Sequence, residues 1–307
     1  MRVLLVPDHP GWAFDHRAKD LMGLGMADIR FDLKYLPDVT AGDCRKYDLV
    51  YPMSLSIARK LNDAGVALNK MAAGVTSVRV FEKQLDENRR FKPEFARFVR
   101  QLRGVNAWSD EIVRLFRPRF RMFKTRIGID HRLFSPAPKR KRNRVFTVGW
   151  VGNIDRPSYR ELKGYDIVLA ALKGLDVRLD VRSFRGRYVP RKRMPDFYRG
   201  LDCFICSSRS EGLPNPVLEA AACGVPIITT KVGIVPELIR HRKNGIIVPR
   251  TAEAIRRETM RLKGDPEMRD QLSRNIRKTV ERHWTWDLCK KDWEHFFKSM
   301  VEAGKNR

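Results

Sequence analysis

The residues best suited to chemistry lie in one 24-residue stretch, Ser207 to Thr230, which reads S-S-R-S-E-G-L-P-N-P-V-L-E-A-A-A-C-G-V-P-I-I-T-T. An apolar run ends near Cys206, and a polar loop containing Gly212 follows. Asn215 is a good N-cap with Pro216 as the first helical residue, and Gly224 and Pro226 stop the helix. Strand, glycine loop and helix N-terminus form an anion site, because the first N–H groups of a helix are unpaired and its dipole is positive there. A diphosphate fits such a site. Pro214 has no N–H, which leaves Gly212, Leu213 and Asn215 as the expected backbone donors. Two carboxylates, Glu211 in the loop and Glu219 at the helix start, flank the anion site. A carboxylate repels phosphate, so these two suit ring hydroxyls that donate hydrogen bonds. A plainer role for Glu219 is an acidic residue favouring the helix dipole.

Positioning these groups requires strand-helix-strand units. Val145–Val151, Val177–Val181, Cys203–Cys206 and Pro226–Thr230 read as buried strands, with helices at Tyr165–Leu172 and Pro216–Cys223 between them. The segments from Ala252 onward read as amphipathic helices. The first half shows the same alternation: strands at Val3–Val6 and Asp48–Tyr51, with helical spacing over Asp15–Leu24. Ser135–Arg144 (S-P-A-P-K-R-K-R-N-R) has no large apolar residue and reads as a linker. The expected organisation is α/β, with two Rossmann-like parallel-sheet domains facing a cleft. A first domain covers residues 1–134, a basic linker 135–144, a second domain 145–282 and a closing helix 283–307. In the first domain the loop after the first strand faces the cleft by the switch-point rule, which makes His9, Gly11 and Trp12 ligand-side candidates. A lone histidine such as His9 is more often structural.

The motif string resembles the Glu-x7-Glu signature of glycosyltransferase family 4, retaining enzymes of the two-domain GT-B fold. Glu211 to Pro226 carries the signature (E-G-L-P-N-P-V-L-E-A-A-A-C-G-V-P). Val232–Ile239, Asn244–Val248 and Met194–Cys206 are similar to flanking family segments. Arg126–Phe134 resembles the end of the family's first domain, and His283–Phe297 its crossing helix. The resemblance covers roughly residues 105 to 300. It implies a nucleoside diphosphate sugar donor (UDP-, GDP- or ADP-sugar) bound by residues 145–282, a glycan, lipid-linked or other hydroxyl acceptor on the side of residues 1–134 with His9, Gly11 and Trp12 as acceptor-side candidates, and no metal or other cofactor. By the same resemblance Glu211 meets the donor sugar, Glu219 the ribose, and Lys163 of Lys163-Gly164 the diphosphate. The family usually has an arginine soon after the glycine of its first C-terminal strand, but Asn153 follows Gly152 here. The stretch from there to Lys163 reads as a long loop, and Arg156 or Arg160 within it is expected to supply the missing guanidinium. The family's N-terminal histidine has no clear counterpart, and Ala73–Ser77 offers Thr76 instead.

Composition bounds the alternatives. The net charge is +26 over 307 residues. Residues 1–144 carry 30 basic and 16 acidic side chains, so the excess is not a detachable tail. Such charge favours acidic partners. No zinc finger, helix-turn-helix or aromatic RNA-binding motif is legible, and no specific nucleic-acid partner is expected. Phe91, Phe95, Phe98 and Leu102 recur at helical spacing with Arg97, Arg100 and Arg103 among them. That helix is either a core element with a solvated basic face or a face for an anionic membrane surface. The five cysteines form no framework, which fits a reducing compartment. Met1–Val6 is too short for a signal peptide, so a cytoplasmic enzyme, or one peripheral on the inner membrane face, is expected. A non-catalytic relative that only binds sugar nucleotide or a partner is the alternative.

Overall fold

The computed structural model describes residues 1–138, 143–183 and 188–305, without the side chains of residues 80 and 81. Residues 139–142, the most basic part of the expected linker, lie outside the described residues. Two compact units emerge. One comprises Met1–Ile127 with the C-terminal helix Trp286–Lys305, and the other Gly128–Thr285. No described helix is long and apolar enough to cross a membrane.

The first unit holds two three-stranded parallel sheets. The order is β2 (Arg30–Leu33), β1 (Arg2–Val6), β3 (Leu49–Pro52) in one, and β4 (Ala73–Val75), β5 (Val105–Ala107), β6 (Met122–Lys124) in the other. A parallel bridge from Val50 to Met71 joins their adjoining edges. β1 and β3 are buried apolar runs, as parallel strands covered on both faces should be. The C-terminal helix closes this unit with fully buried Trp293, Phe296 and Phe297, whose rings pack edge-on against Tyr51. The Arg126 guanidinium pairs with Asp292 at 2.7 Å, and the Trp293 indole donates to the Arg126 carbonyl at 2.9 Å.

The second unit holds a five-stranded sheet, order β11 (Ile246–Ile247), β10 (Ile227–Thr229), β9 (Cys203–Cys206), β7 (Thr147–Val151), β8 (Arg178–Arg182), all neighbours parallel. Val148, Trp150, Ile205, Ile228 and Ile246 form its core with Val168 and Ile255 from flanking helices. The α/β reading with two Rossmann-like parallel-sheet domains therefore holds. Both β9 cysteines are buried, and all five cysteines are free.

Three expectations need correction. Residues 128–134, assigned above to the first domain, pack with the second unit. Ile129 bridges to Thr285, and Arg277 donates to the carbonyls of Phe134 (2.9 Å) and His131 (3.1 Å). The segment Arg97–Arg103 is not one continuous basic face. The helix spans Pro93–Gln101, and Leu102 turns to extended backbone, which swings Arg103 inward. There Arg103 donates to the carbonyls of Asn69, Asp48 and Met300. The stretch between Gly152 and Lys163, taken as a long loop, contains a helix, Pro157–Lys163.

Candidate active site

The polar loop and Lys163 meet at the C-terminal edge of the second unit's sheet, where α/β folds bind ligands. Lys163 ends the Pro157–Lys163 helix. Gly164, at φ +70°, caps that helix and starts the next, Tyr165–Leu172. A side chain at Gly164 would place its Cβ 2.4 Å from the Ser207 carbonyl oxygen, so only glycine permits this approach. The Ser207 hydroxyl lies 2.8 Å from the Lys163 carbonyl and 3.0 Å from that of Gly164. It accepts from the Trp150 indole at 3.3 Å. The Arg209 N–H donates to the Leu162 carbonyl at 2.8 Å. The helix bearing Lys163 is thus fastened to the start of the Glu211 loop.

That fastening brings Lys163 Nζ to 2.5 Å from Glu211 Oε1, with side chains 22% and 13% exposed. Ser208 Oγ donates to the same carboxylate oxygen at 2.8 Å. Burial opposes charge on Lys163, but the adjacent Glu211 outweighs it and holds the ammonium above its ordinary range. The Lys163 ammonium therefore stays charged at neutral pH. Behind it, Gly233 (φ +52°) packs on the loop so closely that a Cβ would sit 2.4 Å from the Gly212 carbonyl oxygen.

Among the described residues, the backbone N–H groups of Ser210, Glu211, Gly212 and Leu213 have no hydrogen-bond partner, and neither has the buried Ser210 hydroxyl. Gly212 and Leu213 are themselves buried. Buried donors without partners are costly in a native fold unless a ligand or solvent completes them. Asn215 departs from expectation. The helix spans Asn215–Ala222 with Pro214 at the cap, and the Asn215 N–H is already spent on the Leu213 carbonyl at 2.9 Å. The free donors lie one step earlier in the loop. Glu219 is likewise the fifth helical residue, beyond the first turn. It accepts the Tyr198 hydroxyl at 2.7 Å. Burial and the neighbouring carboxylate push that phenol well above its usual range, so Tyr198 remains a donor.

The arginine candidates separate. Arg160 is bound twice over by Asp166, at 2.5 and 2.9 Å, and lies over the Tyr165 ring at 4.9 Å. Its charge is largely committed. Arg156 is exposed at the N-cap of the Pro157–Lys163 helix, and it forms no ion pair among the described residues. The Asn153 side chain accepts the Asp155 N–H at 2.9 Å, closing a local turn. Sequence reasoning missed Arg250. Its guanidinium donates to the carbonyls of Ser207 (2.9 Å) and Glu161, tying the Lys163 helix to the β9 loop. The only sequence cue was its place directly after the N-G-I-I-V-P segment.

Residues 182–279, which include both glutamates but not Lys163, match the family model described as glycosyl transferases group 1. That segment, about a third of the chain, is therefore similar to group 1 glycosyltransferases. It is 23% identical over 186 residues to the capsular polysaccharide biosynthesis glycosyltransferase CapM of Staphylococcus aureus, covering 54% of this chain and 49% of CapM. The match thus spans about half the length of that curated relative. Among solved structures, sucrose-phosphate synthase from Thermosynechococcus elongatus superposes with a TM-score of 0.79 at 14% identity, over 98% of this chain and 99% of that one. HepE of Anabaena, in complex with UDP and glucose, gives 0.74 at 15% identity, over 97% and 100%. These likenesses establish the GT-B fold.

In the first unit, His9, Gly11 and Trp12 share the loop after β1. The His9 and Trp12 rings meet edge-on at 5.2 Å, and Trp12 is 42% exposed. Gly11 takes φ +75°, and its N–H donates to Asp15 at 2.8 Å. The buried Asp15 also accepts from Lys19 and Tyr35. Burial pushes this carboxyl up, but those three donors hold it below its ordinary range. Thr76 directly follows β4. Arg17, absent from the sequence-based candidates, stacks against Trp108 at 5.4 Å and Trp286 at 5.5 Å.

Proposed function

We propose that this chain is a retaining glycosyltransferase that moves a hexosyl unit from a nucleoside diphosphate sugar to a hydroxyl of a glycan or lipid-linked glycan. The observation that carries the proposal is the run of unpartnered N–H groups from Ser210 to Leu213 beside the Lys163–Glu211 ion pair. The N–H groups and Lys163 take the diphosphate, whose charge grows as the glycosidic bond breaks. Glu211, held by Lys163 and Ser208, presents its remaining acceptor capacity to hydroxyls of the donor sugar. Glu219, oriented by Tyr198, takes the ribose hydroxyls. Because the ion pair is itself neutral, a further cation must meet the diphosphate charge, and the uncommitted Arg156 fits better than Arg160. Neutralisation by lysine, arginine and backbone dipoles serves the role that a divalent metal serves elsewhere.

In the reaction the acceptor oxygen forms a bond to the anomeric carbon on the face the diphosphate leaves. The bond from that carbon to the phosphate oxygen breaks, and the acceptor proton passes to the departing phosphate. No enzyme nucleophile is required. HepE, crystallised with UDP and glucose, supports the nucleotide-sugar class, and CapM, named for capsular polysaccharide biosynthesis, supports a cell-envelope glycan acceptor. Transfer from a UDP-, GDP- or ADP-sugar should be abolished in Glu211→Ala. Near wild-type transfer by that variant would remove the assignment. Donor binding with no hydrolysis or transfer across many acceptors would favour a non-catalytic relative.

A further inference from the structure

The first unit carries a second anion-binding feature unrelated to the donor loop. Residues 89–121 hold ten basic and three acidic side chains, a net of +7. Five of those arginines, Arg100, Arg103, Arg117, Arg119 and Arg121, line a cavity of about 430 Å³ that no acidic side chain lines. Among the described residues Arg100, Arg117, Arg119 and Arg121 form no ion pair. Three guanidiniums instead lie on aromatic rings: Arg100 over Phe120, Arg119 over Phe91 and Arg121 over Phe123, at 5.6 to 5.9 Å. Ring stacking satisfies a guanidinium's face and leaves its N–H edge, the edge that grips phosphate, to other partners, although Arg121 also donates to the Ser299 carbonyl at 3.5 Å. Phe91 and Phe120 pack in turn on Phe95 and Phe116, so this platform is part of the core. Like charges so gathered repel one another, and a bound polyanion relieves that repulsion.

The position excludes the transfer reaction. Val105 is the first residue of β5, and Arg121 directly precedes β6. The cavity therefore opens at the N-terminal edge of this sheet, opposite the strand ends that carry His9, Trp12 and Thr76. The size suits a small ligand. Nucleic acid fits poorly, because Phe120 lies buried beneath the arginines and offers bases no stacking face. We propose that this cavity is a binding site for a phosphate-bearing ligand carrying two or more phosphate charges. The inference does not rest on the transferase reading. The ligand is either soluble or the headgroup of an anionic lipid, and the second case would hold the enzyme at a membrane face.

The test uses the full chain and two probes, inorganic tripolyphosphate in calorimetry and sedimentation with phosphatidylcholine vesicles containing phosphatidylglycerol. Arg117→Gln/Arg119→Gln removes two exposed guanidiniums that hold no structural ion pair. Lys173→Gln/Arg178→Gln, on the second unit, removes the same charge elsewhere. At about one factor of five per basic residue, the first double variant should bind roughly thirtyfold more weakly. The second should bind as wild type. Tripolyphosphate binding that follows this pattern supports a soluble ligand, and vesicle binding that does so supports the headgroup. Lys163→Gln should leave both unchanged, which separates this cavity from the donor site. Equal weakening in both double variants, weakening only in Lys163→Gln, or no binding of either probe would overturn the proposal.

Discussion

Gly164→Ala tests how the fold sets the Lys163–Glu211 pair without touching either side chain. At φ +70° an alanine costs about 1 kcal/mol in backbone conformation alone. Its Cβ would also lie 2.4 Å from the Ser207 carbonyl oxygen, a backbone atom that cannot rotate aside. Relieving an overpacked contact typically costs about 1–3 kcal/mol. The sum, about 3 kcal/mol, lowers the melting temperature by roughly 6–12 °C for a unit of this size. The same separation disturbs the Ser207 contacts with Lys163 and Gly164, so Lys163 shifts relative to Glu211. Nucleotide-sugar affinity should fall at least tenfold in a variant that remains folded. Differential scanning calorimetry and a donor titration on the same preparation give both readings. A melting temperature within about 1 °C of wild type, with unchanged donor affinity, would refute the reasoning.

Other perturbations follow from single contacts. Glu211→Gln keeps the Ser208 hydrogen bond but leaves Lys163 without its carboxylate, and should lower kcat more than a hundredfold with a small change in donor KM, as steady-state kinetics would show. Arg103→Ala strands the carbonyls of Asp48, Asn69 and Met300 in the first unit and should cost about 3 kcal/mol in chemical denaturation. The Asp15 carboxyl is held below its ordinary range, so its contribution is present above the unfolded carboxylate range and is lost as pH falls through the folded value. Asp15→Asn should accordingly flatten the acid limb of a stability-against-pH curve. Burial pushes the Cys223 and Cys289 thiols up to about 12 and raises those of Cys44 and Cys206. A disulfide reagent at pH 8 should therefore modify none of these four cysteines until the protein unfolds.

The Glu211–Glu219 segment was legible because its chemistry is written in consecutive residues: a glycine, two prolines and two glutamates at fixed spacing. What the sequence hid depended on backbone direction. Asn215 looked like a cap, yet Pro214 holds that position and the free donors sit at Ser210–Leu213. The Pro157–Lys163 helix went unseen because it has one buried residue, Leu162, and so shows no apolar period. β4, β5 and β6 are three residues each, too short to display a pattern. Arg103 seemed to belong to an exposed face because helical spacing was extended two residues past the helix end. Arg250 showed nothing beyond its place after the N-G-I-I-V-P segment, since its partners are carbonyls whose positions only the fold decides.

The Ser210–Leu213 loop and Lys163 are expected to bind a sugar nucleotide's diphosphate. Isothermal titration of UDP-, GDP- and ADP-sugars into the wild type and Lys163→Ala addresses it directly. The account expects saturable binding of one donor, weakened at least tenfold in the variant. Absence of binding by every donor, or equal affinity in the two proteins, would contradict it.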